Sequence, residues 1–158
     1  MKKIIIVLAL FIVLFISSSQ TYEQQSLIPF LENNFPSMPF YSLLSHLEIP
    51  YWGSVISIEE RGYYLFVEFL LGKGAHLAIF GLIALAIVNV LPEPKRWLAL
   101  PAAAGIAVLD ELHQAVTGGR SPMAADVVLD VSGAVLALGC WILFRKIKAR
   151  RKEQHCML

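Results

Sequence analysis

Asp110, Glu111, His113 and Gln114 fall in one short stretch, Gly119-Arg120-Ser121 follows, and Asp126 and Asp130 complete the group. All lie inside or beside two of the longest apolar runs of the chain. Charge inside such a run is costly and by default marks a site. Two carboxylates split in pKa by burial and mutual repulsion can act as general acid and base, and Asp110 and Glu111 are the candidates. Arg120 has a fork that can serve two carboxylates, or a phosphate or carboxylate on a ligand. Upstream, Lys73 and His76 bring a cation and an imidazole to another apolar run. The chain shows no glycine-rich phosphate loop, Cys/His metal spacing or nucleophile elbow, so no metal and no cofactor is expected. His76 with the acids has ligand chemistry, but these ligands are dispersed along the sequence.

The elements around these residues suit a membrane. Of the 158 residues, 57% are hydrophobic and 16% charged, against about 45–50% and about 25% in a soluble domain. The net charge of +1 says little, but its distribution does. Lys2 and Lys3, then Lys95 and Arg96, then Arg145, Lys146, Lys148, Arg150, Arg151 and Lys152 each flank an apolar run. That is where the positive-inside rule puts cytoplasmic charge, so these clusters argue orientation and not nucleic-acid binding. Cys140 and Cys156 would lie near the cytosol, where thiols stay reduced.

The expected architecture is an all-α integral membrane bundle of about four transmembrane helices with short interfacial helices. Residues 1–19 form an N-terminal transmembrane helix. They read either as a signal peptide or as an uncleaved anchor, and the anchor is preferred because Ser17-x-Ser19 is a weak cleavage site. Residues 20–62, rich in proline, aromatic residues and glutamate, form an extracytoplasmic segment with amphipathic pieces such as Phe40 to Leu47. Residues 63–145 form a three-helix membrane core. Within it Tyr63–Leu71 reads as a lead-in helix interrupted by Gly72-Lys73-Gly74, so that His76 begins the next helix. Residues 146–158 form a basic cytoplasmic tail, and both termini are cytoplasmic.

Helix geometry puts Asp110 roughly 20 Å from Trp97, in the outer leaflet of a core of about 30 Å. Asp130 lies roughly 6 Å below Asp126, so Lys73, His76, Asp110, Glu111, Gln114, Arg120, Asp126 and Asp130 converge near one depth. Asp110 and Gln114 share a stripe with Ala103 and Ala107, and Asp126 and Asp130 share one with Gly133 and Ala137. The two stripes are expected to face each other, with Arg120 folded over the acids. His113 is expected to pack or cap, and Glu111, about 100° round the helix from Asp110, to face another neighbour. A cluster of this kind can also simply pin helices together.

Asp110-Glu111-x-x-Gln114, Gly119-Arg120-Ser121 and Asp126-x-x-x-Asp130-x-x-Gly133 together resemble the VanZ-like family of small bacterial membrane proteins. Lys73-Gly74-Ala75-His76 resembles the start of that family's second helix, and Asp130 stands where the family often carries Asn. The resemblance covers about residues 60–145. It implies a bacterial cell membrane, an uncleaved first helix and a link to glycopeptide (teicoplanin-type) susceptibility. Two functions fit the residues. The first is a binding module for a membrane lipid or lipid-linked cell-wall precursor headgroup, with Arg120 and Lys73 on its phosphate or carboxylate. The alternative is a membrane-embedded enzyme acting on a lipid-linked substrate by carboxylate acid/base chemistry. Proton-coupled transport is disfavoured, because no polar path continues inward past Ala107.

Overall fold

The computed structural model describes residues 2–117 and 123–156, the last four of these without their side chains. Helix α1 (Lys2–Ser18) is followed by the short helices α2 (Tyr22–Gln25), α3 (Ile28–Asn34) and α4 (Tyr41–Leu44). A two-stranded antiparallel hairpin, β1 (Ile49–Tyr51) and β2 (Ser54–Ile56), comes next, then α5 (Ile58–Arg61). Three long helices complete the chain: α6 (Tyr63–Val90), α7 (Ala99–Thr117) and α8 (Ala124–Cys156). A 3-10 helix, Glu93–Leu98, joins α6 to α7. The all-α expectation holds, with one small hairpin added to it.

Two of the expected spans, Tyr63–Val90 and the Ala124–Lys152 part of α8, are long and apolar enough to cross a membrane. Helix α1, with 17 residues, reaches only about 25 Å at 1.5 Å per residue. Helix α7 is long enough but carries Asp110, Glu111, His113 and Gln114.

Gly72-Lys73-Gly74 does not interrupt α6, which runs unbroken for 28 residues. Glycine costs a helix about 1 kcal/mol relative to alanine, and apolar flanks on both sides outweigh that. His76 therefore lies mid-helix and not at a helix start. The N-terminal turns of α6 carry the 20–62 segment. Ile56, Ile58, Tyr63 and Phe66 form a separate small core there. Glu68 accepts hydrogen bonds from the Tyr22 hydroxyl (2.9 Å) and the Leu27 amide, tying α2 and α3 to α6.

Local signals explain several element ends. Thr21 and Gln24 make a capping box at α2, and Ser57 caps α5 by accepting from the Glu60 amide. Helix α6 ends at the residues before Pro92. The hairpin turns through Trp52 (φ 49°) and Gly53 (φ 81°), both left-handed, which gives the primed turn that matches strand twist. The basic tail, expected as a separate segment, continues α8 in helical form to Cys156. At this end Glu93 accepts from Arg145 (3.1 Å) and Arg96, whose guanidiniums both sit against the Trp141 ring. Those two hydrogen bonds, Arg145 first, hold the Glu93 carboxyl below the usual carboxylate range.

The long helices pack through small residues. Gly133 of α8 lies so close to α6 that a Cβ built on it would clash with the Leu77 carbonyl oxygen. Gly81 of α6 faces Gly133 and Ala137 in turn. The small residues of the α8 stripe therefore pack on α6, which corrects the expected pairing along Gly133 and Ala137, while Asp130 of the same stripe meets Asp110 of α7 as expected. The physical reason is that two glycines permit a closer approach than the alanines of α7 do. The α7 stripe packs into the remaining groove: Ala103 with Ala84 and Ala134, Ala107 with Phe80, Ile83 and Leu14 of α1. Gly133→Ala should lower the melting temperature in detergent, since the clash is with backbone and overpacking costs about 1–3 kcal/mol. Gly139→Ala, with nothing within 4 Å, should leave it unchanged or raise it slightly. Equal behaviour of the two variants in a thermal scan would contradict the close α6–α8 contact.

Candidate functional site

Helix α7 presents Asp110, Glu111 and Gln114 to the interior, all three buried. Helix α8 presents Asp126 and, one turn further, Asp130; α6 presents Lys73 and, one turn further, His76. The i, i+3 and i, i+4 spacings place these side chains in two tiers.

The deeper tier holds His76, Asp110, Gln114 and Asp130. Asp110 accepts from the Gln114 side-chain amide (2.7 Å) on one oxygen and from the Ser18 hydroxyl on the other. Asp130 is 1% exposed, and its Oδ1 lies 3.3 Å from His76 Nδ1. That separation is an ion-pair distance without hydrogen-bond geometry, and neither atom has a hydrogen-bond partner among the described residues. His76, Asp110 and Asp130 each offer a donor atom, all within 4.8 Å of one another. The dispersion in sequence that told against a metal is removed by the packing.

The outer tier holds Lys73, Asp126, Tyr51 and Glu111. A single oxygen of Asp126 accepts from both the Lys73 ammonium and the Tyr51 hydroxyl. The ammonium also lies over the Tyr51 ring, 4.8 Å from its centroid, and beside Phe69. Partial burial first, then the hydrogen bond to Asp126, push the Tyr51 phenol far above its usual range. Glu111 accepts from the Met123 amide at 2.6 Å, so its charge meets the free amides at the start of α8. It faces a different neighbour from Asp110, as expected. Beside this tier an apolar groove of about 360 Å³ runs between the hairpin and α8, lined by Pro50, Tyr51, Trp52, Ala124, Val128 and Ser132.

The model of the VanZ/LLP1 family matches residues 3–145. The chain belongs to the VanZ/LLP1 family. No curated protein and no solved structure matches it.

Seven of the eight proposed ligand-binding residues of this VanZ/LLP1 member are described, and they come together as Lys73, His76, Asp110, Glu111, Gln114, Asp126 and Asp130. Arg120, with Gly119 and Ser121, lies outside the described residues. Among those described, Tyr51 and Lys73 both donate to Asp126. His113 points elsewhere: it stacks on Phe15 and meets the Ser19 hydroxyl at 3.0 Å, which is a packing role.

Two site residues escaped sequence reasoning. Ser18 read only as the polar end of a short apolar run, and Tyr51 as one aromatic among several. The Trp52-Gly53 turn is the one local signal that could have placed Tyr51 on a hairpin. Tyr51→Phe should lower the melting temperature, since a hydrogen bond to a charged group contributes about 1.5–3 kcal/mol. In a tyrosine absorbance titration it should remove a phenol that ionises well above pH 10. The contribution is present below the unfolded-state pKa and is lost as pH rises above it. A wild-type difference titrating at the ordinary tyrosine pKa would contradict the Asp126 contact.

Proposed function

We propose that this VanZ/LLP1 member is a multi-pass protein of the bacterial cell membrane, with both termini cytoplasmic, that binds the headgroup of a membrane lipid or lipid-linked cell-wall precursor. The observation that carries the reading is the position of the polar cluster. It lies where tightly packed apolar helices give way to the aromatic-rich 20–62 segment, and a headgroup meets hydrocarbon at such a boundary. Exposed Phe30, Phe40 and Trp52 on that segment suit an interface. The apolar groove beside Asp126 offers an acyl chain a course next to the charged groups. Lys73 and Arg120 would contact a phosphate or carboxylate, with Asp126 and Tyr51 orienting the lysine. The basic clusters at 2–3, 95–96 and 145–152 support the orientation, with the cluster in the outer leaflet. Ser18 bonding to Asp110 supports retention of the first helix. Any effect on teicoplanin-type susceptibility would follow from engagement of the precursor.

The burial of Asp110 beside His76 and Asp130 favours a second reading, an enzyme on a lipid-linked substrate with Asp110 as general acid or base. Glu111 suits that role less, since the Met123 amide occupies it.

Mass spectrometry of lipid co-purified with the protein names the ligand class, and titration in nanodiscs measures it. Lys73→Ala and Arg120→Ala should each weaken binding by about tenfold or more, as loss of a charged hydrogen bond does. Indistinguishable binding by wild type and both variants would remove the headgroup reading. Turnover of a lipid-linked substrate that Asp110→Asn abolishes would favour the enzyme.

A further inference from the structure

Asp130 is the most buried charged side chain of the described residues, and its Oδ1 has no hydrogen-bond donor. His76 Nδ1, equally orphaned, faces it. Asp110 completes the group from α7. Lys73, the nearest other described cation, is taken up by Asp126 in the outer tier. Two carboxylates thus share one imidazole in a desolvated place, and buried charge needs compensation.

We infer that His76, Asp110 and Asp130 form a binding site for a divalent first-row transition ion, Zn²⁺ or Mn²⁺, at the junction of α6, α7 and α8. Ligand distances fit. Around an ion with bonds of about 2.1 Å, neighbouring ligand atoms stand about 3.0 Å apart in octahedral and about 3.4 Å apart in tetrahedral geometry. The His76–Asp130 pair, at 3.3 Å, falls between those values. Opposed ligands stand about 4.2 Å apart, so the 4.8 Å limit on the whole group closes with a small rotation of one carboxylate. The donor set selects the metal class: imidazole nitrogen suits Zn²⁺, and the two carboxylates also suit Mn²⁺. Mg²⁺ and Ca²⁺ prefer oxygen alone.

The surroundings fit a metal site as well. Ser18 and Gln114 donate to the two oxygens of Asp110 and fix its orientation, as partners of ligating carboxylates do. Phe80 lies nearly parallel to the His76 ring, 6.4 Å between centroids. Three protein ligands leave at least one coordination position for a water or an anionic oxygen. The metal site stands apart from the headgroup reading, because none of its ligands is a residue that reading assigns to the anion.

The test uses the full chain, purified in detergent without a polyhistidine tag or added lipid and stripped with a chelator. After loading with Zn²⁺ or Mn²⁺ and desalting, elemental analysis should find about one ion per chain, and the melting temperature should rise with metal and fall on chelation. His76→Gln and Asp130→Asn should weaken metal binding by about a hundredfold, and Ser18→Ala, acting through Asp110, by about tenfold. His46→Gln, at an exposed histidine outside the cluster, should bind as wild type does. Size-exclusion profiles identify any variant that misfolds, and the wild-type measurement stands without the variants. A wild-type protein that retains neither ion and shows no thermal shift overturns the proposal, leaving a histidine–aspartate pair. Undiminished retention by a folded His76→Gln/Asp130→Asn double variant overturns it too. Because no lipid is present, this result is independent of the headgroup titration.

Discussion

A carboxylate enclosed by packed helices must be met by donors or by positive charge, and much of this chain is arranged around that requirement. Asp110 draws Ser18 from the end of α1, Asp126 draws Tyr51 from the hairpin and Lys73 from α6, and Glu111 draws the first amide ahead of α8. Each bond ties the cluster to a further element of the fold. For the first helix and the proline-rich segment these bonds add to apolar packing, at Leu14 and in the small core of Ile56, Ile58, Tyr63 and Phe66. Removing one partner would leave the other charge uncompensated in a dry place, so the outer elements and the cluster hold each other.

The cluster in turn depends on a contact with no charge in it. Gly133 rests on the Leu77 carbonyl, and His76 and Asp130 stand beside that contact on the two helices. Close backbone approach at the glycine sets the distance between imidazole and carboxylate. In lipid no hydrophobic gain separates one apolar helix face from another, so fit and polar contacts decide the pairing. Here the two are one turn apart and reinforce each other.

The cluster's two tiers differ in chemistry. The outer one pairs a cation, a phenol and two acids beside an apolar groove, which suits an amphipathic ligand. The deeper one gathers donor atoms around a point. A site with both could hold a headgroup at its mouth and an ion beneath. The opposite end of the bundle, where Glu93 clasps Arg96 and Arg145 over Trp141, is a salt-bridged turn with no buried acid among the described residues.

The sequence by itself determined that apolar helices dominate, that polar residues interrupt them at Lys73, His76, Asp110, Glu111, Gln114, Asp126 and Asp130, and which of these share a helix face. Charge in an apolar run and i, i+4 spacing are local facts, and the Asp110–Gln114 bond follows from them directly. It also carried the family, through motifs that a residue-by-residue reading can see. Only the tertiary structure decided which helix each face meets, that α6 runs through its glycines, and that Ser18 and Tyr51 belong to the site. Those two residues lie 92 and 75 positions from their acids, too far for any local pattern to register. Periodicity fixes the direction in which a side chain points; what waits there is set by how closely two backbones can approach, and at Gly133 that depended on a single missing Cβ.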